Sequence, residues 1–419
     1  MLKRLVGTRI PEPDPEVAEI PLETLPEEAN AIDTRSPLER FRTAPKKAFS
    51  VTDLVSPAWC ELQYWYTLTK HGKKRRTPEM RQGSVVHQKL EDQVHTTVRV
   101  EVTTKEDAWA LRIWNVIQGL KTLRYTGLTR ELEIWGTVDG LVVNGVIDEL
   151  SYVCPDTVLE DRMERPQTRH EPPPNQTTIA DFFRNGSSGG TSMAEAMMAE
   201  PRTPSTKVYL CDVKTRGVRK LPVESAFKPT KIQLMLYHRL LTELATNSVD
   251  FTVITSRYNL DTDRVFSDSF LAQVGSVDGG IEPDDMSEDG QPSSQDSMET
   301  LLAHNNLSKL WVLMIQEFQI TLPKGAASLG NVLKAEYRSR DEGEIIGSKT
   351  FPMQESVLTE YLDHEMQWWK GNREPEGVVV EEAFKCRSCE FADGCEWRLK
   401  KVEEAKAKSR MGRKKSAAV

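Results

Sequence analysis

The stretch Val208-Tyr-Leu-Cys-Asp-Val-Lys-Thr-Arg216 decides the fold, because its apolar start predicts a buried strand and its end carries an Asp-x-Lys triplet. Successive side chains of a strand point to opposite faces, so Asp212 and Lys214 project together while Val213 turns into the core. A carboxylate beside a lysine can hold a divalent cation and stabilise charge on a phosphate. Taken alone, such a triplet is more often an ion pair on an edge strand, so its function depends on the rest of the chain.

A second carboxylate lies on an earlier strand. Residues 131–153 contain the turn-forming dipeptides Asp139-Gly140 and Asn144-Gly145, so we expect three short strands joined by two tight turns. The first turn explains Asp139. Asp148, in contrast, lies inside the third strand, where an isolated carboxylate is disfavoured. We therefore predict that Asp148 is a metal ligand.

Two predicted helices flank these strands. The first begins at Pro78 and places His87 and Glu91 one turn apart beside an apolar stripe. A histidine at a helix edge more often packs or caps than binds metal. The second helix begins at Pro229, and a further strand is expected over residues 251–258. The predicted order is therefore helix, three strands, helix, strand.

Charge is unevenly distributed along the chain. Residues 11–31 contain seven acidic residues, five prolines and no lysine or arginine, and residues 275–300 contain eight acidic residues and no base. Without these fifteen acidic residues the net charge changes from −8 to +7, so the folded body is basic and suits a polyanionic partner. No apolar run reaches the length of about 18 residues that a transmembrane helix needs, so we expect no membrane association.

Three of the six cysteines are clustered as Cys386-x2-Cys389-x5-Cys395. In a chain without a disulfide framework, this spacing indicates a metal site. Three thiolates do not complete a four-thiolate site, and the spacing permits both zinc and an iron–sulfur cluster.

Together these motifs resemble the RecB-like branch of the PD-(D/E)xK nucleases and, within it, the exonuclease V family of single-strand DNA exonucleases. The resemblance runs from about residue 47 to about residue 400. It implies an α/β fold with a restriction-endonuclease-like core, a mixed sheet flanked by helices, to which helical and Fe–S-stapled segments are added. One departure is Asp212, where glutamate is common in the superfamily. The motifs that carry the resemblance are Gly145-Val-Ile-Asp148-Glu-Leu150, Asp212-Val-Lys-Thr-Arg216 and the cysteine cluster.

The resemblance also assigns roles by position. The two strand aspartates and the helix histidine would bind Mg²⁺, and the lysine would orient the attacking water or stabilise the transition state. A glutamine and a tyrosine on the second helix would contact a substrate phosphate or support the lysine. The implied catalytic residues are Asp148, Asp212, Lys214, Gln233 and Tyr237, and the implied Mg²⁺ ligands are His87, Asp148 and Asp212.

For the cysteines, the resemblance implies a [4Fe–4S] cluster whose fourth ligand comes from far upstream. Its role would be to tie the N-terminal and C-terminal segments together, contributing to folding instead of redox chemistry. Cys154 and Cys211 are expected to be ordinary thiols. The implied cluster ligands are Cys60, Cys386, Cys389 and Cys395.

The expected function is Mg²⁺-dependent exonuclease activity on single-stranded DNA in DNA repair or replication. The alternative is a catalytically inactive DNA-binding or clamp-tethered scaffold, but the intact catalytic set argues against it. We expect a monomer. Four adjacent basic residues, 73–76, lie in a predicted loop, and a basic loop of this kind is about as often solvated as bound to phosphate. The candidate DNA contacts are Lys73, Lys74, Arg75, Arg76, Arg216, Arg219 and Lys220.

Residues 155–206 are expected to form a disordered insertion. A peptide within this insertion resembles the motif by which replication and repair proteins bind the sliding clamp PCNA. One helical turn would place an aliphatic residue beside two aromatic residues as a hydrophobic plug, and the glutamine would form hydrogen bonds separately. The alternatives are a chance match or a loop that folds back on the body. The motif consists of Gln176, Ile179, Phe182 and Phe183.

The expected domain organisation has a single folded body. The nucleus is the favoured compartment because of the clamp-like peptide and the basic tail, with the mitochondrion as the alternative. The segments are a disordered acidic tail over 1–46, a nuclease domain over 47–400 with disordered insertions at 155–206 and 275–300, and a basic tail over 401–419.

Overall fold

The computed structural model describes residues 2–9, 33–74, 76–164, 207–277 and 294–416. The strands are β1 Leu2–Arg9, β2 Phe49–Ser50, β3 His95–Val102, β4 Leu128–Val138, β5 Leu141–Ser151, β6 Tyr209–Arg216, β7 Val332–Ser339 and β8 Ile345–Pro352. The α-helices are α1 Pro37–Phe41, α2 Val51–Val55, α3 Glu61–His71, α4 Pro78–Glu91, α5 Lys105–Thr126, α6 Thr157–Glu164, α7 Glu224–Ala245, α8 Phe251–Tyr258, α9 Asp268–Val277, α10 Ser294–Ala303, α11 Leu307–Thr321, α12 Glu355–Trp369 and α13 Glu396–Ser416. Short 3₁₀ turns occur at Ser56–Ala58, Gly325–Ser328, Val380–Ser388 and Ala392–Gly394.

The central sheet is mixed. Its strands follow the order β4, β5, β6, β7, β8, and β2 runs beside β5. Neighbouring strands are antiparallel except for the β6–β7 and β2–β5 pairs, which are parallel. Helices α5 and α7 pack against β4, and α4 packs against β6. The predicted α/β architecture, a mixed sheet flanked by helices, is confirmed.

Helix α5 forms the centre of the hydrophobic core. Thr104 and Asp107 form a capping box at its start, and Gly127 ends it with a φ of 80°, a conformation that glycine adopts without strain. Apolar residues on several faces of α5 are buried, among them Ile113 and Trp114. Because it is covered by both α11 and β4, α5 fixes the position of the strand that carries part of the site described below.

The N-terminal residues differ from the expected tail. Residues 2–9 form β1, which pairs in parallel with β3 as a separate two-stranded sheet. Leu5 is buried, and its backbone exchanges two hydrogen bonds with the Asn115 side chain, at 2.9 Å and 2.8 Å. Residues 37–41 form α1. The expectation of a tail over 1–46 is therefore wrong for these two segments, because the apolar residues of each pack on the body.

The strand before the insertion is longer than predicted. Asp139 and Gly140 form the expected turn, with φ values of 53° and 74°. Asn144 and Gly145, in contrast, lie within β5, so the expected second turn is wrong. Asn144 is held in the sheet by its side-chain donation to the Phe49 carbonyl at 3.0 Å. A side chain at position 145 would come within 2.8 Å of the Tyr237 ring, so a glycine is required there for packing.

Two further predictions are corrected. Residues 251–258 form helix α8 instead of a strand, because the Asp250 side chain caps the segment by accepting from the Thr252 N–H at 2.8 Å. The start of the first insertion is ordered as α6, and buried Glu160 accepts from the Val332 N–H at 3.0 Å.

The remaining boundaries differ by smaller amounts. The helix expected from Pro229 begins one turn earlier, at Glu224. The second acidic insertion ends within α10, and the basic C-terminal segment is helical through Ser416. Residues 165–206 and 278–293 lie outside the described residues, so the predictions for those parts of the insertions, including the clamp-like peptide, are not addressed. No helix of the described chain is long and apolar enough to cross a membrane.

Candidate active site

Strand β6 and helix α7 build a polar chain around the Asp-x-Lys triplet. Asp212 is 1% exposed, and its Oδ1 accepts a hydrogen bond of 2.8 Å from the Lys214 ammonium. The ammonium also donates to Gln233 Oε1 at 3.0 Å, and Gln233 Nε2 donates to the Tyr237 hydroxyl at 3.0 Å. These contacts lock the lysine beside the carboxylate. Burial acts to lower the pKa of Lys214, but the charges of Asp212 and Asp148 outweigh it, so the pKa is raised.

Asp148 joins this group from β5. Its Oδ2 accepts from the Val213 N–H at 2.7 Å, across the junction where β5 and β6 separate. This bond fixes the carboxylate between the two strands. The other carboxylate oxygen, Oδ1, faces His87. Burial, together with the nearby charge of Asp212, raises the pKa of Asp148 to about 7. A cation placed beside Asp148 would reverse that effect.

Helix α4 supplies the histidine. His87 Nδ1 lies 3.3 Å from Glu131 Oε1 and 3.8 Å from Asp148 Oδ1. One ligand atom from each of the three residues lies within 4.8 Å of the others. Burial acts to lower the pKa of His87, but the hydrogen bond to Glu131 and the charge of Asp148 raise it overall. Such a group of one imidazole and two carboxylates can chelate a divalent metal.

Glu131 is the candidate metal ligand that the sequence analysis misses. It lies on β4 with a φ of 52°, a left-handed conformation that is strained for a residue with a side chain. Its neighbours Arg130 and Leu132 pair with Glu149 and Ile147, so Glu131 lies directly opposite Asp148. Glu91, one turn after His87 on α4, pairs with Arg4 on β1.

The residues present fit a divalent metal ion. The donor set of His87, Glu131 and Asp148 combines nitrogen and oxygen ligands. Asp212 Oδ2 is buried and has no hydrogen-bond partner, although the Lys214 ammonium lies 2.8 Å from it. A buried carboxylate oxygen without a hydrogen bond is costly, and a cation between the two aspartates would satisfy it.

The predicted DNA contacts lie near this site to different extents. Lys73, Lys74 and Arg76 are exposed on the loop between α3 and α4, and Arg75 lies outside the described residues. Arg216 lies over the Tyr337 ring at 5.8 Å.

The two remaining candidates follow β6. Arg219 pairs with Glu342 at 3.0 Å and Glu344 at 2.6 Å, so its charge is already engaged. Lys220 is exposed.

The structure brings the four predicted cysteines together at a second site. Cys60 precedes α3, Cys386 lies in the 3₁₀ turn Val380–Ser388, and Cys389 and Cys395 each directly follow a 3₁₀ turn. All four line one cavity with Trp59 and Trp397. No three of these described sulfurs lie within 4.8 Å of one another. Four thiolates suit both zinc and an iron–sulfur cluster. Cys154 and Cys211 do not line this cavity.

A sequence model of a protein family, described as "Exonuclease V - a 5' deoxyribonuclease", matches residues 36–398. The chain belongs to the exonuclease V family. Family membership makes it a nuclease that hydrolyses DNA, as the sequence predicts. The match spans the candidate catalytic residues as well as the four cysteines that line the second cavity.

Individual relatives agree with the family. Exonuclease V of Danio rerio is 25% identical over 366 residues, which cover 87% of this chain and 73% of the relative. Mitochondrial exonuclease V of Eremothecium gossypii is 23% identical over 425 residues, with 84% and 77% covered. The Candida glabrata protein, also named mitochondrial, is 25% identical over 231 residues, with 48% and 42% covered. The names of the yeast relatives match the alternative compartment of the sequence analysis, and nothing among these relatives supports the nucleus.

Proposed function

We propose that this chain is a Mg²⁺-dependent exonuclease of single-stranded DNA with a PD-(D/E)xK core, acting in genome maintenance. The observation that carries the proposal is the convergence of His87, Glu131 and Asp148 beside the Asp212–Lys214 pair. A bound cation would polarise the scissile phosphate, lower the pKa of the attacking water and neutralise the leaving oxygen.

The protein side chains have separable roles in this proposal. Asp148 and Asp212 provide negative charge for the cation, and the Val213 N–H keeps the Asp148 carboxylate oriented. The Lys214 ammonium, held by Asp212 and Gln233, orients the water or stabilises charge on the phosphate. Tyr237 fixes the glutamine. Because these residues sit on β5, β6 and α7, the arrangement is rigid before substrate binds.

Single-stranded DNA as the substrate is supported by the basic loop beside the site. Lys73, Lys74 and Arg76 form an exposed basic segment immediately before α4, the helix that carries His87. Lysine and arginine contacts to phosphates bind DNA without reading its sequence. The family description, a 5′ deoxyribonuclease, supports attack from the 5′ end.

The decisive experiment compares labelled single-stranded and double-stranded DNA, each with free or blocked 5′ ends, with Mg²⁺ and with chelator. We expect degradation only of single strands with a free 5′ end, and only with metal. The Lys214→Ala protein should bind the single strand and leave it intact. Degradation by Lys214→Ala at the wild-type rate would refute the assigned site, whereas equal cleavage of both DNA forms would refute the substrate assignment.

For the cysteine site we propose a [4Fe–4S] cluster bound by Cys60, Cys386, Cys389 and Cys395. The support is that all four cysteines, from distant parts of the chain, line a single cavity. Anaerobic purification followed by iron and zinc analysis tests this proposal. About four iron atoms per chain are expected, and one zinc without iron would overturn it.

The remaining assignments concern partners and compartment. We propose the mitochondrion as the compartment, because the yeast relatives carry that word in their names. The PCNA-binding peptide with Gln176, Ile179, Phe182 and Phe183 is a separate hypothesis supported only by sequence. It is tested by titrating a peptide of residues 172–187 against the clamp, where the absence of binding at high micromolar concentration would reject it.

A further inference from the structure

Lys385 is the most deeply buried lysine at the cysteine site. The residue is 3% exposed, its side chain 1%, and it immediately precedes Cys386 and lines the same cavity. Lysine is almost never fully buried without a partner, because burying an unpaired ammonium costs roughly several kcal/mol. The position therefore calls for a specific interaction.

The contacts of Lys385 link two distant parts of the chain. Its ammonium donates to the Trp59 carbonyl at 3.0 Å and to Glu382 Oε2 at 2.6 Å. It also lies 4.7 Å from the centre of the Trp59 ring, which is a cation–π contact. Trp59 immediately precedes Cys60. One side chain therefore connects the residue before the upstream cysteine to the segment that carries the other three.

A second connection lies on the other side of Cys60. The Glu61 carboxylate accepts two hydrogen bonds of 2.7 Å from Arg373. The Leu62 N–H donates to the Glu376 carbonyl at 3.0 Å. Cys60 is thus held from both sides against the C-terminal segment, by contacts that involve none of the four thiols.

The charge of Lys385 has a second effect. Metal groups bind cysteine as thiolate, so a loaded site gathers four negative sulfurs in one partly buried cavity. Their mutual repulsion is strong where the dielectric constant is low. An ammonium in the wall of that cavity offsets part of this repulsion.

We propose that Lys385 is the positioning residue of the cysteine site: it holds Cys60 opposite the other three cysteines and supplies the positive charge that retains the metal group. The inference rests on the proposed function only in requiring that the four cysteines bind a metal group. Glu382 orients the ammonium, which donates to the Trp59 carbonyl and lies over the Trp59 ring.

The experiment uses the full chain purified anaerobically as wild type, Lys385→Met and Lys400→Met. Methionine keeps the length and apolar stem of lysine without its charge. Lys400 is exposed on α13 and serves as the matched control. Iron and zinc per chain are measured, then the rate at which the metal passes to a chelator, and the reduction potential of any bound cluster. For Lys385→Met we expect release about tenfold faster or more, the range found when groups that orient metal ligands are removed. The reduction potential should become more negative, whereas Lys400→Met should match wild type.

The outcomes separate this inference from the function it rests on. Absence of metal in wild type rejects the proposed cysteine site itself. A metal-loaded wild type with unchanged release rate and potential in Lys385→Met overturns the inference. If Lys385→Met does not fold, Glu382→Gln replaces it, because that change leaves the Trp59 contacts in place and removes the anion that partly neutralises the Lys385 ammonium. A reduction potential more positive than that of wild type supports the proposal, and an unchanged potential overturns it.

Discussion

Glu131 and Asp148 face each other across the antiparallel strands β4 and β5, and Glu131 holds a left-handed backbone conformation at that point. The two carboxylates bracket the His87 imidazole. A strained backbone beside chemically active groups is retained where function requires it.

Changing Glu131 should separate activity from stability. Glu131→Gln is expected to lower the apparent affinity for Mg²⁺ and reduce cleavage at least about tenfold, because one anionic donor is lost. Glu131→Gly should be as inactive as Glu131→Gln. It should nevertheless be more stable than wild type by up to about 1 kcal/mol, because glycine relieves the left-handed backbone strain. Mg²⁺ titrations of activity and denaturant unfolding measure the two effects. Glu133→Gln, on the same strand and paired with Arg112, is the control. Full activity of Glu131→Gln would contradict the assignment.

The support of Lys214 by Gln233 predicts a selective loss of rate. Gln233→Leu removes the amide that accepts from the ammonium, so the lysine is less well oriented. Single-turnover cleavage should slow by about 10- to 100-fold, the range found when a group that orients a functional side chain is removed. Binding of the single strand should change less than twofold, roughly. Lys231→Ala on the same helix should affect neither quantity. An equal loss of binding and rate would argue for a DNA contact instead.

Exposed lysines before α4 should determine the salt dependence of binding. The double variant Lys73→Ala/Lys74→Ala removes two candidate phosphate contacts. For single strands, each lost contact should reduce the slope of log K against log salt by about 0.7. Fluorescence anisotropy over a series of salt concentrations measures the slope. An unchanged slope would show that the loop stays in solvent.

A buried carboxyl beside Glu61, that of Glu365, predicts an unusual dependence of stability on pH. Burial and the neighbouring Glu61 raise the pKa of Glu365 to about 9. The unfolded chain, with the ordinary value of 4.5, binds that proton less readily, so stability should fall as pH rises from about 5 to 9, by at most about 1.4 kcal/mol per unit. The Glu365→Gln variant has no ionisable group at this position, so the pH slope should disappear. At about pH 8 the variant should be more stable than wild type.

Urea unfolding at several pH values tests the Glu365 prediction. Glu360→Gln, exposed on the same helix, should leave the pH profile of wild type unchanged. Parallel profiles for wild type and Glu365→Gln would show that the Glu365 carboxyl titrates equally in the folded and unfolded chains.

How well the sequence predicts a feature depends on how far apart along the chain the contacting residues lie. The strand with Asp212 and Lys214 was predictable because its pattern is local. Glu131 was also within reach: the Asp139–Gly140 turn sets a register in which residue 131 faces residue 148. The incorrect turn at Asn144–Gly145 broke that register, because the dipeptide favours turns locally while tertiary packing keeps it in β5.

Other features depend on tertiary contacts that no local pattern reveals. Residues 251–258 are rich in β-branched and aromatic residues, but a capping aspartate and packing on the core make them helical. The pairing of Glu91 with Arg4 requires the position of β1, which composition assigned to a tail. The meeting of Cys60 with the other cysteines followed only from the family resemblance.

The contact between Trp59 and Lys385 joins residues 326 positions apart, which sets an order for synthesis of the chain. All the proposed catalytic side chains leave the ribosome before the last cysteine is translated. A nascent chain can therefore assemble its carboxylates and lysine while its cysteine site is still open, and contacts between such distant residues form late and slowly. A messenger truncated between codons 237 and 395 would yield a chain that contains all the proposed catalytic residues but cannot complete the second site.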